Sequence, residues 1–327
     1  MVTKQRKSSI AITGSSGLVG KNLISELAGE KSIDKIIAID KVHPKIKSSK
    51  IKFSKIDIID TESIEIVGKL LSDNKCKTLI HCALPNEPSK HIGRLHELQV
   101  IGSMNILLAA EAGKIRKLLL GSTTEVFGAM PSNPSYLTEK SSLRGNMHSS
   151  YLRDKIDVER QFNDFQMRHP KKIVTILRPC TILGQKLKNS KISYLLQPTV
   201  TTALGFDPLM QFVHISDVTR AFLIAVKKDY PGIFNIVGDG VLPLSRALSI
   251  ENKSNLPIPD VLLQVATRVL WNLNMSHAPA GHVDFLKYQC IADGEKARRV
   301  MGFKPTYSSE DALLSLKSMK EIKKKLT

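Results

Sequence analysis

Short apolar runs alternate along the first half of the chain with segments whose apolar positions recur at helical spacing. The runs "SIAIT", "KIIAID", "IKFSKI", "KTLIHCA", "RKLLLGS" and "KIVTILRP" read as strands. Between them the spacing predicts helices starting at Leu18, after Thr61, around 92–112 and over 149–168. Strands that alternate with helices are the pattern of a parallel sheet with crossover helices on both faces, a doubly wound α/β architecture. Past Pro179 the regularity fails. Residues 186–211 and 241–290 are irregularly spaced and richer in Pro, while "FVHISDVTRAFLIAVKK" and "GIFNIVG" predict one more helix and strand returning to the sheet. The expected organisation is a large unit over 1–185 plus 208–240 and a smaller, discontinuous substrate domain over 186–207 plus 241–327.

The 327-residue length gives such an arrangement a sizeable core. Lys and Arg number 48 against 30 Asp and Glu, a formal charge of +18 that points to an anionic partner. The lysines crowd "MVTKQRKSS", "DKVHPKIKSSKIKFSK" and "KSMKEIKKKLT" instead of forming one stripe with aromatics, which make up 5% of the chain, so no nucleic-acid partner is expected. Cys76, Cys82, Cys180 and Cys290 lie far apart without a C-x-x-C pair, which argues against a disulfide framework and fits a reducing cytoplasm. "HELQV" begins like a zinc-binding helix, but Val100 occupies the second ligand position; His96 reads as structural and no metal is expected. No apolar run approaches the roughly 20 residues that span a bilayer. The N-terminus lacks the apolar centre of a signal peptide, so the N-x-S matches at Asn252 and Asn274 carry no weight.

Candidate chemistry begins where the first strand runs into "TGSSGLVGKNLISEL". Gly14, Gly17 and Gly20 fall at the turn between a strand and a helix, where backbone N–H groups approach a pyrophosphate and the helix dipole favours its charge, as in a Rossmann-type dinucleotide site. Asp40 ends the second strand and is placed to accept hydrogen bonds from an adenosine ribose, which favours NAD over NADP. Asp57 in "KIDIID" stands in a similar place for the adenine edge. Farther on, "SSYLRDKIDVERQF" puts Tyr151 and Lys155 one turn apart on a helix that Ser149 or Ser150 is able to cap. An ammonium beside a phenol favours the phenolate, which would make Tyr151 a general base; the plainer reading is a packed tyrosine and a solvated lysine.

Glycine loop, Asp40, "GSTTEVFG", Tyr151 and Lys155 occur in one order and together resemble the extended short-chain dehydrogenase/reductase family, in its NAD-dependent epimerase/dehydratase group with the nucleotide-sugar epimerases. "ILRPCTILG", "GIFNIVGDG" and "DGEKARRVMGFKPTYSSEDAL" extend the likeness over nearly the whole chain. The resemblance implies a catalytic triad of Thr123, Tyr151 and Lys155. It also implies cofactor contacts from Gly14, Ser16, Gly17, Leu18, Gly20, Asp40, Asp57, Ile58, Cys82, Ala83, Tyr151, Lys155 and Pro179. Glu125 matches the glutamate that removes a proton in sugar-nucleotide dehydratases and decarboxylases, or is a salt-bridged loop residue. The long central helices would form a homodimer contact.

Three departures stand against a simple transfer. Arg178, Pro179, Cys180 and Thr181 replace a common R-Y-F-N, Met210 removes a cation that commonly holds nucleotide phosphates, and Gln99 replaces an asparagine. The leading expectation is an NAD-dependent nucleotide-sugar epimerase. The alternatives are a sugar-nucleotide dehydratase or decarboxylase, a hydroxysteroid-like dehydrogenase or reductase of an apolar alcohol, and a non-catalytic NAD-binding scaffold. "VLLQVATRVLWNL" bears on the third of these four, because its apolar face suits a greasy substrate pocket, contact with a membrane, or packing on the domain core.

Overall fold

The computed structural model of the chain describes residues 8–85, 87–145, 149–185, 187, 189–273 and 280–317. Asn274 and, Lys317 apart, the lysines of the two terminal clusters lie outside the described residues. The first half runs β1 (Ser8–Thr13), α1 (Leu18–Gly29), β2 (Ile33–Asp40), β3 (Ile51–Lys55), α2 (Ser63–Asp73), β4 (Cys76–His81), α3 (Ile92–His96), α4 (Gly102–Ala112), β5 (Lys117–Gly121), α5 (Ser150–Arg168) and β6 (Ile173–Pro179). The second half runs β7 (Thr181–Leu183), α6 (Ser190–Leu195), β8 (Thr199–Ala203), β9 (Leu209–Met210), β10 (Phe212–His214) and α7 (Ile215–Lys227). It ends with β11 (Gly232–Ile236), β12 (Leu242–Pro243), α8 (Leu244–Ile250), β13 (Ser254–Ile258), α9 (Asp260–Asn272) and α10 (Ser309–Leu314).

Seven strands make one parallel sheet in the order β11-β6-β5-β4-β1-β2-β3. Because alternate strand residues face opposite sides, β1 sends Ile10 and Ile12 to one face and Ala11 to the other, and each face has its own core. Ile10 and Ile12 join Leu23, Ile24 and Phe222 beneath α1 and α7, while Ala11 joins Leu79, Ile106 and Phe162 beneath α4 and α5. Both faces are covered, which is why these strands read as nearly continuous apolar runs. The order reverses between β1 and β4, and a crevice opens there beyond the strand C-terminal ends. The helix and strand expected to return to the sheet are α7 and β11.

A third core lies off the sheet around Ile192, Leu195, Leu244, Leu248 and Leu313, joined by Leu183 and Phe212 from segments adjoining the sheet. Three two-stranded ladders, β7–β10, β9–β12 and β8–β13, surround it.

Two local expectations are corrected. The helix predicted around 92–112 is interrupted by a π-helical turn at Glu97–Ile101, whose extra residue per turn rotates the Gln99 amide into the interior, where it has no partner among the described residues. Ser149 is the N-cap of α5, but its hydroxyl is buried without a partner and does not cap the helix.

One ion pair braces the region between β5, α5 and β6. Arg178, 1% exposed, donates from Nη2 to Glu159 Oε2 at 2.5 Å and from Nε to Oε1 at 2.9 Å, and Ser122 Oγ donates to the same Oε1 at 2.5 Å. The guanidinium also lies 5.0 Å from the Phe127 ring. Breaking a buried pair from one side leaves the other charge uncompensated, so Glu159→Leu should lower the unfolding free energy by about 3–5 kcal/mol in urea titration. The double variant Glu159→Leu with Arg178→Met should recover most of that loss, and a single variant as stable as the parent would show the pair to be dispensable.

Candidate cofactor and substrate cavities

A cavity of about 250 Å³ lies at the crevice, bounded by the turn from β1 into α1. Gly14 has φ +71°, and a Cβ there would come within 2.5 Å of the Cys82 and Ala83 backbone; at Gly20 a Cβ would sit 2.1 Å from the Gly14 carbonyl oxygen. These two glycines let strand, turn and helix touch. Gly17 is the N-cap of α1 and offers no side-chain acceptor, so the first N–H groups of the helix are left open at the cavity wall formed by Gly17, Leu18 and Val19. The fit to a dinucleotide pyrophosphate is therefore good: open amides at a helix N-terminus with the helix dipole behind them.

Asp40 lines the same cavity. Its Oδ2 accepts from Ser16 N and Ser16 Oγ, both at 2.8 Å, and its Oδ1 accepts from Lys41 N at 2.7 Å. The carboxylate thus ties the glycine loop to the end of β2 and still faces the cavity. Asp57 accepts from Lys41 Nζ at 2.6 Å. Burial pushes its carboxyl up, but Lys41, the Ile59 amide and Arg94 together outweigh that and hold it below the usual carboxylate range. Ser16, Leu18, Ile58, Cys82, Ala83 and Pro179 also line this cavity. Gly20 does not, because its Cα face is filled by the Gly14 carbonyl.

A second cavity, of about 350 Å³, lies toward the third core. The two share their boundary segments: Ser122 and Pro179 line the first, whereas Thr124, Glu125, Cys180 and Thr181 line the second. Tyr151 lines the second cavity, and its hydroxyl donates to the Pro85 carbonyl, at 3.2 Å, on the wall of the first. Thr123 lines neither cavity, although its neighbours Ser122 and Thr124 line one each; half-buried, it caps the 3₁₀ turn Thr124–Phe127 by accepting from Glu125 N at 3.3 Å. Lys155 lines neither cavity and is 3% exposed, with Nζ 5.0 Å from the Tyr151 ring centroid.

Burial reverses the electrostatics expected for this pair. It pushes the Tyr151 phenol well above the ordinary tyrosine range, with the Glu87 carboxylate adding to the effect. It pushes the Lys155 amine down to about 7, against a smaller opposing pull from Glu159. Desolvation penalises both charged forms, and at the tyrosine it outweighs the nearby lysine.

The sequence reading missed three groups in the second cavity. Lys191 pairs with Glu125 and donates to Thr181 Oγ1 at 3.2 Å; enclosure pushes its amine down to about 8. His282, with Nδ1 buried and unpartnered, is pushed down to about 4 by burial and then by Lys191. The Cys290 thiol, pushed up to about 12 by burial, faces the Thr124 carbonyl. None of the three stands in a recognisable spacing with Tyr151, and only the fold brings them there. Apolar side chains including Leu195, Met210, Phe212, Leu263, Val283 and Leu286 fill most of the remaining wall.

Residues 10–237 match the family described as NAD dependent epimerase/dehydratase. The chain belongs to that family. The UDP-glucose 4-epimerase of Yersinia enterocolitica is 23% identical over 291 residues, covering 76% of this chain and 84% of the relative. An uncharacterized protein of Mycobacterium tuberculosis is 27% identical over 310 residues, covering 93% and 81%. Among solved structures, the UDP-glucose 4-epimerase of Thermotoga maritima with UDP-glucose superposes with a TM-score of 0.76 at 18% identity, over 98% of this chain and 100% of that one. A dTDP-glucose 4,6-dehydratase of Bacillus anthracis in complex with NAD gives 0.73 at 16% identity, over 97% of each. At these identities the superpositions show the shared fold.

The state of Lys155 is open to measurement. In the unfolded chain its amine titrates near the ordinary 10.5 and in the folded chain near 7. Between these values the unfolded chain holds the extra proton, so this group's contribution to stability rises with pH across the window, and below pH 7 the fold bears the whole cost of a buried ammonium. Lys155→Met should therefore melt higher than the parent at pH 6, with the advantage narrowing as pH rises toward 10. Melting curves showing the parent more stable at pH 6 would contradict the burial argument.

Proposed function

We propose that the protein is a nucleotide-sugar epimerase, oxidising one secondary alcohol carbon of the sugar and reducing it again from the opposite face. The observation that carries this reading is the position of Tyr151, whose ring lines the second cavity while its hydroxyl reaches a carbonyl on the wall of the first. A substrate hydroxyl in the second cavity would meet the phenol at the boundary with the cofactor. NAD, when bound, accepts and returns the hydride at the reacting carbon. To act as the base Tyr151 must first lose its own proton, a step that its burial opposes and that the Lys155 ammonium and the positive nicotinamide of bound NAD would favour; the phenolate Oη would then take the proton of the substrate hydroxyl and return it, with Thr123 Oγ1 donating to the same oxygen. The open amides of α1 would hold the pyrophosphate, and Asp40 would accept from the adenosine ribose and repel a 2′-phosphate.

The ion pair between Glu125 and Lys191 favours epimerisation over dehydration, since elimination needs a carboxylate free to take a proton from the adjacent carbon. The second reading, a dehydrogenase of an apolar alcohol, is favoured by one observation: the cavity is mostly apolar and has Met210 where relatives commonly place a cation. The reading also includes a symmetric dimer through α3, α4 and α5, which would cover the exposed Ile92, Met104, Leu108 and Met167 and give twice the 36.2 kDa chain mass in light scattering.

Purified protein should retain NAD in preference to NADP, and Asp40→Ala should narrow that preference while loosening the loop that Ser16 anchors. With a panel of UDP-sugars the enzyme should interconvert epimers without net absorbance at 340 nm. Stoichiometric NADH formation from an apolar alcohol would replace this reading with the second one. Tyr151→Phe keeps the ring and its packing, so NAD binding should persist while turnover falls by roughly 10²–10⁴. Turnover at the parental rate would remove Tyr151 from the chemistry.

A further inference from the structure

The helix α9 is apolar on both sides. Its Leu263, Ala266, Thr267 and Leu270 line the second cavity. The opposite stripe carries Val261, Leu262, Val265 and Val269, which are 74%, 60%, 55% and 50% exposed. The patch continues at the start of the helix, where Leu204 N donates to Ile258 O and both Leu204 and Leu256 stand more than half exposed. A contiguous apolar surface of this kind on one wall of a substrate cavity has no role in the core and calls for a partner.

The rim of the patch identifies the partner. Trp271 lies on the flank of α9, with the Lys90 ammonium 5.6 Å over its ring and bonded at 3.0 Å to the Asn272 carbonyl. Arg268, at the edge of the exposed stripe, has no acidic partner among the described residues, and the one acid of the helix, Asp260, is already paired with Lys287 at 3.2 Å. An apolar stripe bordered by Trp, Lys and Arg is the arrangement of a helix lying in a membrane interface, its apolar side chains among the acyl chains and its cations at the headgroups. At 13 residues α9 spans about 20 Å, too short to cross a bilayer. The chain's +18 charge favours one occupant, an anionic lipid surface, which complements both the net charge and the Arg and Lys at the rim of the patch.

We propose that the outer face of α9 docks on an anionic membrane surface, laying one wall of the substrate cavity against lipid. This docking stands apart from the reaction proposed above, since its test reads vesicle binding and not turnover.

The chain contains a single tryptophan, Trp271, so its fluorescence reports on α9 without labelling. The full chain is mixed with phosphatidylcholine vesicles, with or without phosphatidylglycerol, prepared with and without brominated acyl chains. Anionic vesicles should shift the emission to shorter wavelength, and brominated chains should quench it. The substitutions Val265→Ser and Val269→Ser, made together, keep the net charge and alter only exposed positions. They should weaken this binding at least tenfold and leave thermal unfolding and NAD binding unchanged. Attachment through the terminal lysines would instead bring vesicles down without quenching Trp271, and equally for parent and variant. That result overturns the proposal, as does an absence of vesicle binding, or a dimer in light scattering that the two substitutions dissociate.

Discussion

The candidate site rests on a buried guanidinium. Arg178 and Glu159 are removed from water almost completely, a costly step that their mutual bonds through Nε and Nη2 offset, while Nη1 is left without a hydrogen-bond partner among the described residues. The pair also accepts Ser122 at the end of β5 and lies against Phe127 of the following turn. It therefore fixes three pieces of chain at once: the 122–127 segment, the helix carrying Tyr151 and Lys155, and the exit of β6 through Pro179, Cys180 and Thr181. These are the segments that border both cavities. Their mutual positions follow from a charge pair that cannot be stretched without exposing an unpaired ion to an apolar interior.

Around that brace, burial decides the charge state of the site more strongly than neighbouring charges do. Burial pushes the Tyr151 phenol and the Cys290 thiol up and the Lys155 and His282 bases down, Lys155 to about 7. In the second cavity the Glu125–Lys191 pair is the main polar feature, set into a wall of leucine, valine, phenylalanine and methionine. The first cavity has the opposite character, with open helix amides and two carboxylates held by backbone and lysine. The glycine turn has the form that a cofactor common to the family would require, whereas the third core and α9 carry features particular to this chain.

The architecture was legible in the chain because it depends on local periodicity: strands buried on both faces must be apolar throughout, and crossover helices must be apolar on one face. The glycine turn and the place of Asp40 at the end of β2 were legible for a related reason, since each is set within one strand–turn–helix unit. Tyr151 and Lys155 were legible as a pair because one helix turn sets their distance. What the sequence did not determine is their charge. The expected lowering of the tyrosine pKa follows from the i,i+4 spacing, but how deeply the helix sits is decided by α3, α4, β6 and the turn Thr124–Phe127 packed against it, and depth governs desolvation. Lys191, His282 and Cys290 were invisible because they come from separate, irregular segments that meet only when the small ladders close over the sheet edge. The amphipathic α9 was visible as an apolar run, yet which side would meet solvent depended on where the second cavity formed. Sequence by itself determined the interactions that close within one turn or one strand–helix unit; tertiary structure decided those that depend on burial, because burial is a property of everything packed around a residue and not of its neighbours in the chain.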